Sequence, residues 1–466
     1  MRRPMPIAVP AALGLCALAL FAPSLSAQKQ APPEGGPPKD FVVPEPRNFT
    51  LPNGLAVTLV PYGTLPKVTV QLQVRAGNVY EAPNQIWLAD LTGKLMKEGT
   101  STLSAAQVAA QASAMGGDLD VAIGADQASV GGDVLGEFAP KMVALVADVA
   151  SHPALPEEEL ARLKADLARR LSIETSEPQS MTLAAFRKRL YPDHPYGRLY
   201  PTEAMLQAYT LDDVRRYYAA NFGAARAHLY VSGRFDETSV ETAVRQAFGG
   251  WGHGTAAEPP APKPVTKRVV DVIDRPGAAQ STIYLGLPVI APQDSDYTAL
   301  LVTNALLGGA FISRIVSNIR EQKGYTYSPF SQVSSRAHDA YWVQMADVTT
   351  AVTGPSLKEI YGEIRRLQSE PPSADELQGI QNYLAGTFVL QNSSRQGLIN
   401  QLNFLDVQGL PRTYLTELVK RVRAVTPADV QRITRTYLKP ENMTLIVAGD
   451  RSKIDEQLQP YQSAVP

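Results

Sequence analysis

The chain has 466 residues, 44% of them hydrophobic and 19% charged, which is enough to bury more than one core, since single cores stop growing near about 250–300 residues. Its 44 basic and 45 acidic side chains leave a net charge of −1 with no long basic block, which argues against nucleic acid as a partner. The one cysteine, Cys16, lies in an apolar run at the start, so once that run is removed disulfides, thiolate catalysis and cysteine–zinc sites are all excluded.

In chain order, Arg2 and Arg3 form a basic start, residues 7–22 an apolar run and residues 24–27 a small-residue cleavage region. Residues 1–27 therefore read as a signal peptide. The run is shorter than the roughly 20 residues of a spanning helix, and Pro10 interrupts it. Leu15 stands before Cys16 where lipidation would want a small residue. The expectation is a protein exported to the periplasm and cleaved near Ala27, with no stable membrane insertion. Residues 28–47, rich in proline and glycine, read as a tether.

The folded body is expected from residue 48. Alternation in FTLPNGLAVTLVP around Asn53-Gly54, and again over residues 68–74, predicts strands. Residues 87–96 and 104–115 carry helical spacing or helix-favouring alanines. Short strands are expected over 119–123 and 128–134, a helix over 138–150, and a long amphipathic helix from Pro156 to about Glu174. The order is α+β.

An internal repeat organises the rest. TLDDVRRYYAANFGAARAHLYVSGRF from Thr210 matches TPADVQRITRTYLKPENMTLIVAGDR from Thr426, an offset of 216, and Leu160 matches Leu377 at an offset of 217. Each repeated end reads as a Thr-capped helix followed by a strand. The expectation is two homologous lobes, 48–257 and 266–466, joined by the Pro-rich stretch 258–265 and forming a clamshell of antiparallel-rich sheets covered by helices.

Several segments then carry a resemblance in order: FTLPNGLAVTLVP, KEGT at 97–100, Gly116-Gly117, HPYG at 194–197 and IREQKGYTY at 319–327. The chain resembles the pitrilysin/insulinase metallopeptidases, in the subgroup that includes mitochondrial processing peptidase. Active members carry H-x-x-E-H on a helix, two histidines for zinc and a glutamate that activates water. Placed by its distance to Gly99-Thr100, that motif falls on Asp90, Leu91, Thr92, Gly93 and Lys94, and the third-ligand position falls on Arg170. The resemblance thus implies a degenerate metal site with no catalytic residue and no cofactor, zinc being expected in a partner only. His152, His194, His228, His253 and His338 supply no pair at helical spacing.

The resemblance also implies an arginine and a tyrosine that hold substrate backbone, and Arg320 and Tyr327 match them at the family's spacing of seven. Tyr325 competes for the tyrosine role. Arg320 has no acidic neighbour three or four residues away, which argues against a plain helix-surface ion pair. The glycine-containing stretch 306–311 resembles a substrate loop of non-catalytic processing subunits, and a helix-ending Gly-Gly turn is an equal reading. Together these imply the substrate-binding subunit of an exported zinc metalloendopeptidase, inactive alone and paired with a zinc-bearing relative to cut peptides or unfolded proteins. The alternative is a scaffold or peptide-binding protein with no proteolytic role.

Overall fold

The structure, a computed structural model, describes residues 44–256 and 258–463. The signal peptide, Cys16 and most of the tether lie outside the described residues. The described residues form one compact unit, with an α+β fold of two sheets in two homologous lobes.

The first sheet has six strands: β1 (Arg47–Thr50), β2 (Ala56–Pro61), β3 (Lys67–Val74), β4 (Asp120–Ile123), β5 (Ala128–Leu135) and β6 (Ala227–Gly233), ordered β1-β2-β6-β3-β5-β4. The Asn53-Gly54 turn joins β1 to β2 as read from the sequence, and Gly54 sits at φ +93°, where a side chain would be strained. The second sheet comprises β7 (Val269–Asp274), β8 (Gln280–Val289), β9 (Phe330–Arg336), β10 (Asp339–Thr349) and β11 (Thr444–Gly449), ordered β7-β11-β8-β10-β9. Leaving out β1, the two orders correspond strand for strand, and β2·β6 and β7·β11 are the parallel pair of each sheet. Thr210 with Asp213 and Thr426 with Asp429 form the same capping box ahead of these last strands. The repeat is therefore a repeat of topology.

The helices of the first lobe follow the sequence reading within a residue or two: α1 (Leu88–Met96), α2 (Ala105–Ala114), α3 (Ala139–Ser151) and α4 (Glu157–Ser176), followed directly by α5 (Pro178–Leu190). Ser104 caps α2 through a capping box with Gln107. Val57, Leu59, Val70 and Leu72 of the sheet pack with Leu91, Leu95, Val146 and Leu167 of the helices in one core, all with at most 1% exposure.

The other face of each sheet is covered by a helix of the opposite lobe. Phe186, Leu190 and Tyr191 at the C-terminal end of α5 pack on Tyr284, Tyr341 and Ile446 of the second sheet. Leu398, Ile399, Leu402 and Leu405 of the helix Arg395–Gln408 pack on Val60 and Tyr230 of the first. Ion pairs repeat the exchange: Arg189 Nε meets Asp271 at 2.5 Å, and Arg395 Nη2 meets Asp133 at 2.8 Å. Fully burying each large apolar side chain contributes about 1.5–3 kcal/mol, so this exchange ties the lobes together beyond what a covalent linker would do. The linker itself is docked, with Val265 N–H donating to the Leu190 carbonyl at 2.8 Å.

Among the described residues no helix is long and apolar enough to cross a membrane.

Candidate functional site

Positions 90–94 lie within α1, with Asp90 in its first turn. Trp87 precedes the helix at φ +66°, a left-handed conformation that costs a bulky residue roughly 1–2 kcal/mol. Its ring is 4% exposed and its Nε1–H donates to the Leu199 carbonyl at 2.9 Å, which holds the conformation in place. The N-terminus of α1 is met by Glu81, whose Oε1 accepts from Ala89 N–H at 2.9 Å and from Asn78 Nδ2 at 3.1 Å. Burial pushes the Glu81 carboxyl up to about 8, so it holds its proton at neutral pH.

The long helix α4 brings Arg170 against α1. Arg170 Nη1 donates to Asp90 Oδ1 at 2.8 Å and its Nε to Glu174 Oε1 at 2.6 Å, while its guanidinium lies 4.3 Å from the Trp87 ring centroid. The second oxygen of Asp90 accepts from Asn78 Nδ2 at 2.8 Å. Thus two sequence-derived positions 80 residues apart do meet, as an ion pair. Lys94, half-buried one turn along the same face, makes no ion pair among the described residues. At Gly93 a Cβ would come within 2.8 Å of Ile123 Cγ1, so the β4 side chain fills the space that a residue larger than glycine would need.

These residues do not fit a zinc ion. Lys94 and Arg170 are cations, Gly93 has no donor, and both Asp90 oxygens are already engaged. Among the described residues no group of three His, Cys, Asp or Glu side chains could hold a metal. His194 is buried and structural in its contacts, its Nδ1 accepting from Tyr196 N–H and its Nε2 facing the Pro260 carbonyl at 3.0 Å.

In the second lobe, a π-helical turn over Val316–Gln322 presents Arg320. Its guanidinium lies 4.8 Å from the Tyr327 ring centroid and 4.4 Å from that of Phe311. Tyr327 is 81% exposed and Phe311 63%. Tyr325 instead packs partly buried on the second core, its N–H bound to the Ile319 carbonyl at 2.8 Å. The expectation that Arg320 lacks a local acidic partner is corrected: its Nε meets the adjacent Glu321 at 3.1 Å. Neighbours in sequence face apart on a regular α-helix, and the wider π turn has different spacing.

Gly308 and Gly309 end another π-helical turn, Ala305–Gly309, and are packed on Ser331, Gln344 and Asn304. The turn ends a helix, and Phe311 at the end of the stretch reaches the Arg320 site. Sequence reasoning missed Asn78 and Glu81, and reached Phe311 only as the last residue of the glycine-containing stretch. The spacing Asn78–Glu81 just after a strand is too generic a signal to have found them.

Two profiles match the chain: "Insulinase (Peptidase family M16)" over residues 58–200 and "Peptidase M16 inactive domain" over 208–384. An uncharacterised zinc protease of Streptomyces coelicolor is 24% identical over 84% of this chain and 87% of its own length. A Helicobacter pylori protein described as a non-peptidase homolog is 21% identical over 84% and 90%. The solved structure of a peptidase M16 inactive domain from Pseudomonas fluorescens superposes with TM-score 0.80 at 22% identity, covering 87% of this chain and 98% of that one. A protease from Helicobacter pylori gives 0.81 at 20% identity, covering 87% and 99%.

Proposed function

We propose that this chain, which belongs to the insulinase (M16) peptidase family, is a non-catalytic member that binds substrate for a zinc-bearing relative in an exported endopeptidase. The observation that carries the reading is the Arg170–Asp90 ion pair at 2.8 Å, standing where the family resemblance puts metal ligands. The name of one relative, a non-peptidase homolog, agrees with it. Export to the periplasm rests on the signal-like pattern of residues 1–27.

The second lobe supplies what such a subunit needs. Arg320 offers a rigid fork of donors for peptide carbonyls, and the exposed Tyr327 phenol can donate to a carbonyl oxygen as it gains charge. Recognition of backbone rather than side chains gives broad specificity for extended or unfolded chains.

The test is turnover of an extended peptide by this chain mixed with an H-x-x-E-H relative from the same source. Arg320→Ala or Tyr327→Phe should lower turnover of the mixture without loosening the complex. Unchanged turnover would leave only a scaffold role.

A further inference from the structure

We infer that the cavity beside the Asp90–Arg170 pair binds a small oxyanion, a carboxylate or phosphate group held by Arg187 of α5 and by Arg198. The cavity has a volume of about 180 Å³, and Asn78, Arg170, Glu174, Arg187, Arg198 and Tyr200 are among its walls. One water needs only about 10–15 Å³ of such space, so there is room for an oxyanion with water beside it.

The charges around this cavity do not balance. Arg170 is matched by Asp90 and Glu174. Arg187 is not matched: among the described residues its side chain makes no hydrogen bond or ion pair, and its Nε is buried without a partner. Its electrostatic neighbours are Arg336, which repels it, and the phenols of Tyr341, Tyr191 and Tyr196. Burial first, then Arg336, pushes Arg187 down to about 10, which still leaves it cationic at neutral pH.

Among the described residues Arg198 makes one long hydrogen bond, 3.3 Å to the Glu81 carbonyl, and no ion pair. The Glu81 side chain holds a proton at neutral pH and supplies no counter-charge. Asp126 and Asp339 accept from the phenols of Tyr196 and Tyr191 rather than from a guanidinium. Arg187 is half-buried with its Nε fully buried; a cation partly withdrawn from water without a partner is costly, and a planar guanidinium pairs with a carboxylate or phosphate through two parallel bonds. An oxyanion in the cavity would supply the charge and the acceptors that Arg187 lacks. This inference does not rest on a partner subunit, so the isolated chain can test it.

The experiment is thermal unfolding of the purified full chain with inorganic phosphate, with a short N-acetylated peptide ending in a free carboxylate, and with its C-terminal amide. A saturable rise in Tm of several degrees is expected with phosphate or the free-carboxylate peptide and not with the amide. Response to phosphate alone assigns a free inorganic anion, and response to the acid peptide assigns a chain terminus. Arg187→Met should abolish the rise while leaving the ligand-free Tm unchanged or higher, because it removes an unpaired, half-buried charge. Arg198→Gln, nearer the surface, should weaken the response and guards against misfolding of the first variant. No saturable shift with either anion, or an undiminished shift in both variants, would overturn the inference.

Discussion

Arg170 and Asp90, 80 residues apart in sequence, meet at 2.8 Å between α4 and α1, with Asn78 on the other carboxylate oxygen and the Trp87 ring beneath the guanidinium. The contact converts a resemblance of spacing into a statement of charge: the two helices to which the resemblance assigns metal ligands are joined here by an ion pair. Arg170→Ala leaves Asp90 11% exposed with only Asn78 as partner. Because Arg170 itself is 44% exposed, the expected loss is modest, about 1 kcal/mol, read as a lower urea midpoint at unchanged m-value.

Restoring donors should restore a metal. Asp90→His, Lys94→His and Arg170→Glu together are expected to bind zinc at one equivalent, measured as metal content after gel filtration. Adding Gly93→Glu should cost stability unless Ile123 is also shortened, since a Cβ at position 93 meets Ile123 Cγ1 at 2.8 Å. Failure of the triple variant to take up zinc, while still folded, would show the motif to be misplaced.

The two candidate tyrosines separate by their surroundings. Tyr327→Ala removes an 81% exposed ring and should change stability by less than about 0.5 kcal/mol while lowering turnover of the mixed enzyme, by up to about 100-fold. Tyr325→Ala opens a partly buried site against the second core and should cost about 2 kcal/mol in chemical denaturation. The reverse pattern would move the substrate role to Tyr325.

Glu81 gives a pH signature. Its folded carboxyl sits at about 8 by burial, against roughly 4.3 when unfolded. Between these values the folded state binds the extra proton, so its contribution is fully present below the unfolded value and is lost as pH rises through the folded one. The slope for this single group approaches about −1.4 kcal/mol per pH unit near neutrality. Glu81→Gln should flatten that part of the stability–pH curve, measured by urea titration from pH 5 to 8.

The exchanged helices should make unfolding a single event. Phe186 is fully buried on α5 and touches Tyr284 and Tyr341 of the opposite lobe, with ring centroids 6.2 and 5.7 Å away. Phe186→Ala should cost about 3–5 kcal/mol. Loss of signal from both lobes in one transition is the expected calorimetric trace, and two separated transitions in the wild type would refute the coupling.

The repeat at 216–217 residues made both lobes legible, because the capped helix and returning strand leave a local signature at Thr210 and Thr426. The exchange of α5 and Arg395–Gln408 was not legible. Apolar spacing at Phe186 and Leu190 shows that a face is buried but not which sheet buries it. At the site, Asp90 and Arg170 followed from family spacing, whereas Asn78 and Glu81 are placed by a chain turn after β3 that has no periodic pattern. The Arg320–Glu321 pair escaped because helical spacing was assumed where the chain forms a π-helical turn.

The central claim is that this chain does no chemistry alone and contributes to it in company. The most direct measurement is zinc content and peptidase activity of the purified chain, separately and in equimolar mixture with an H-x-x-E-H relative from the same source. The account predicts no stoichiometric zinc and no turnover from the chain alone, with turnover in the mixture exceeding that of the relative by itself. Zinc and activity in the isolated chain would contradict it.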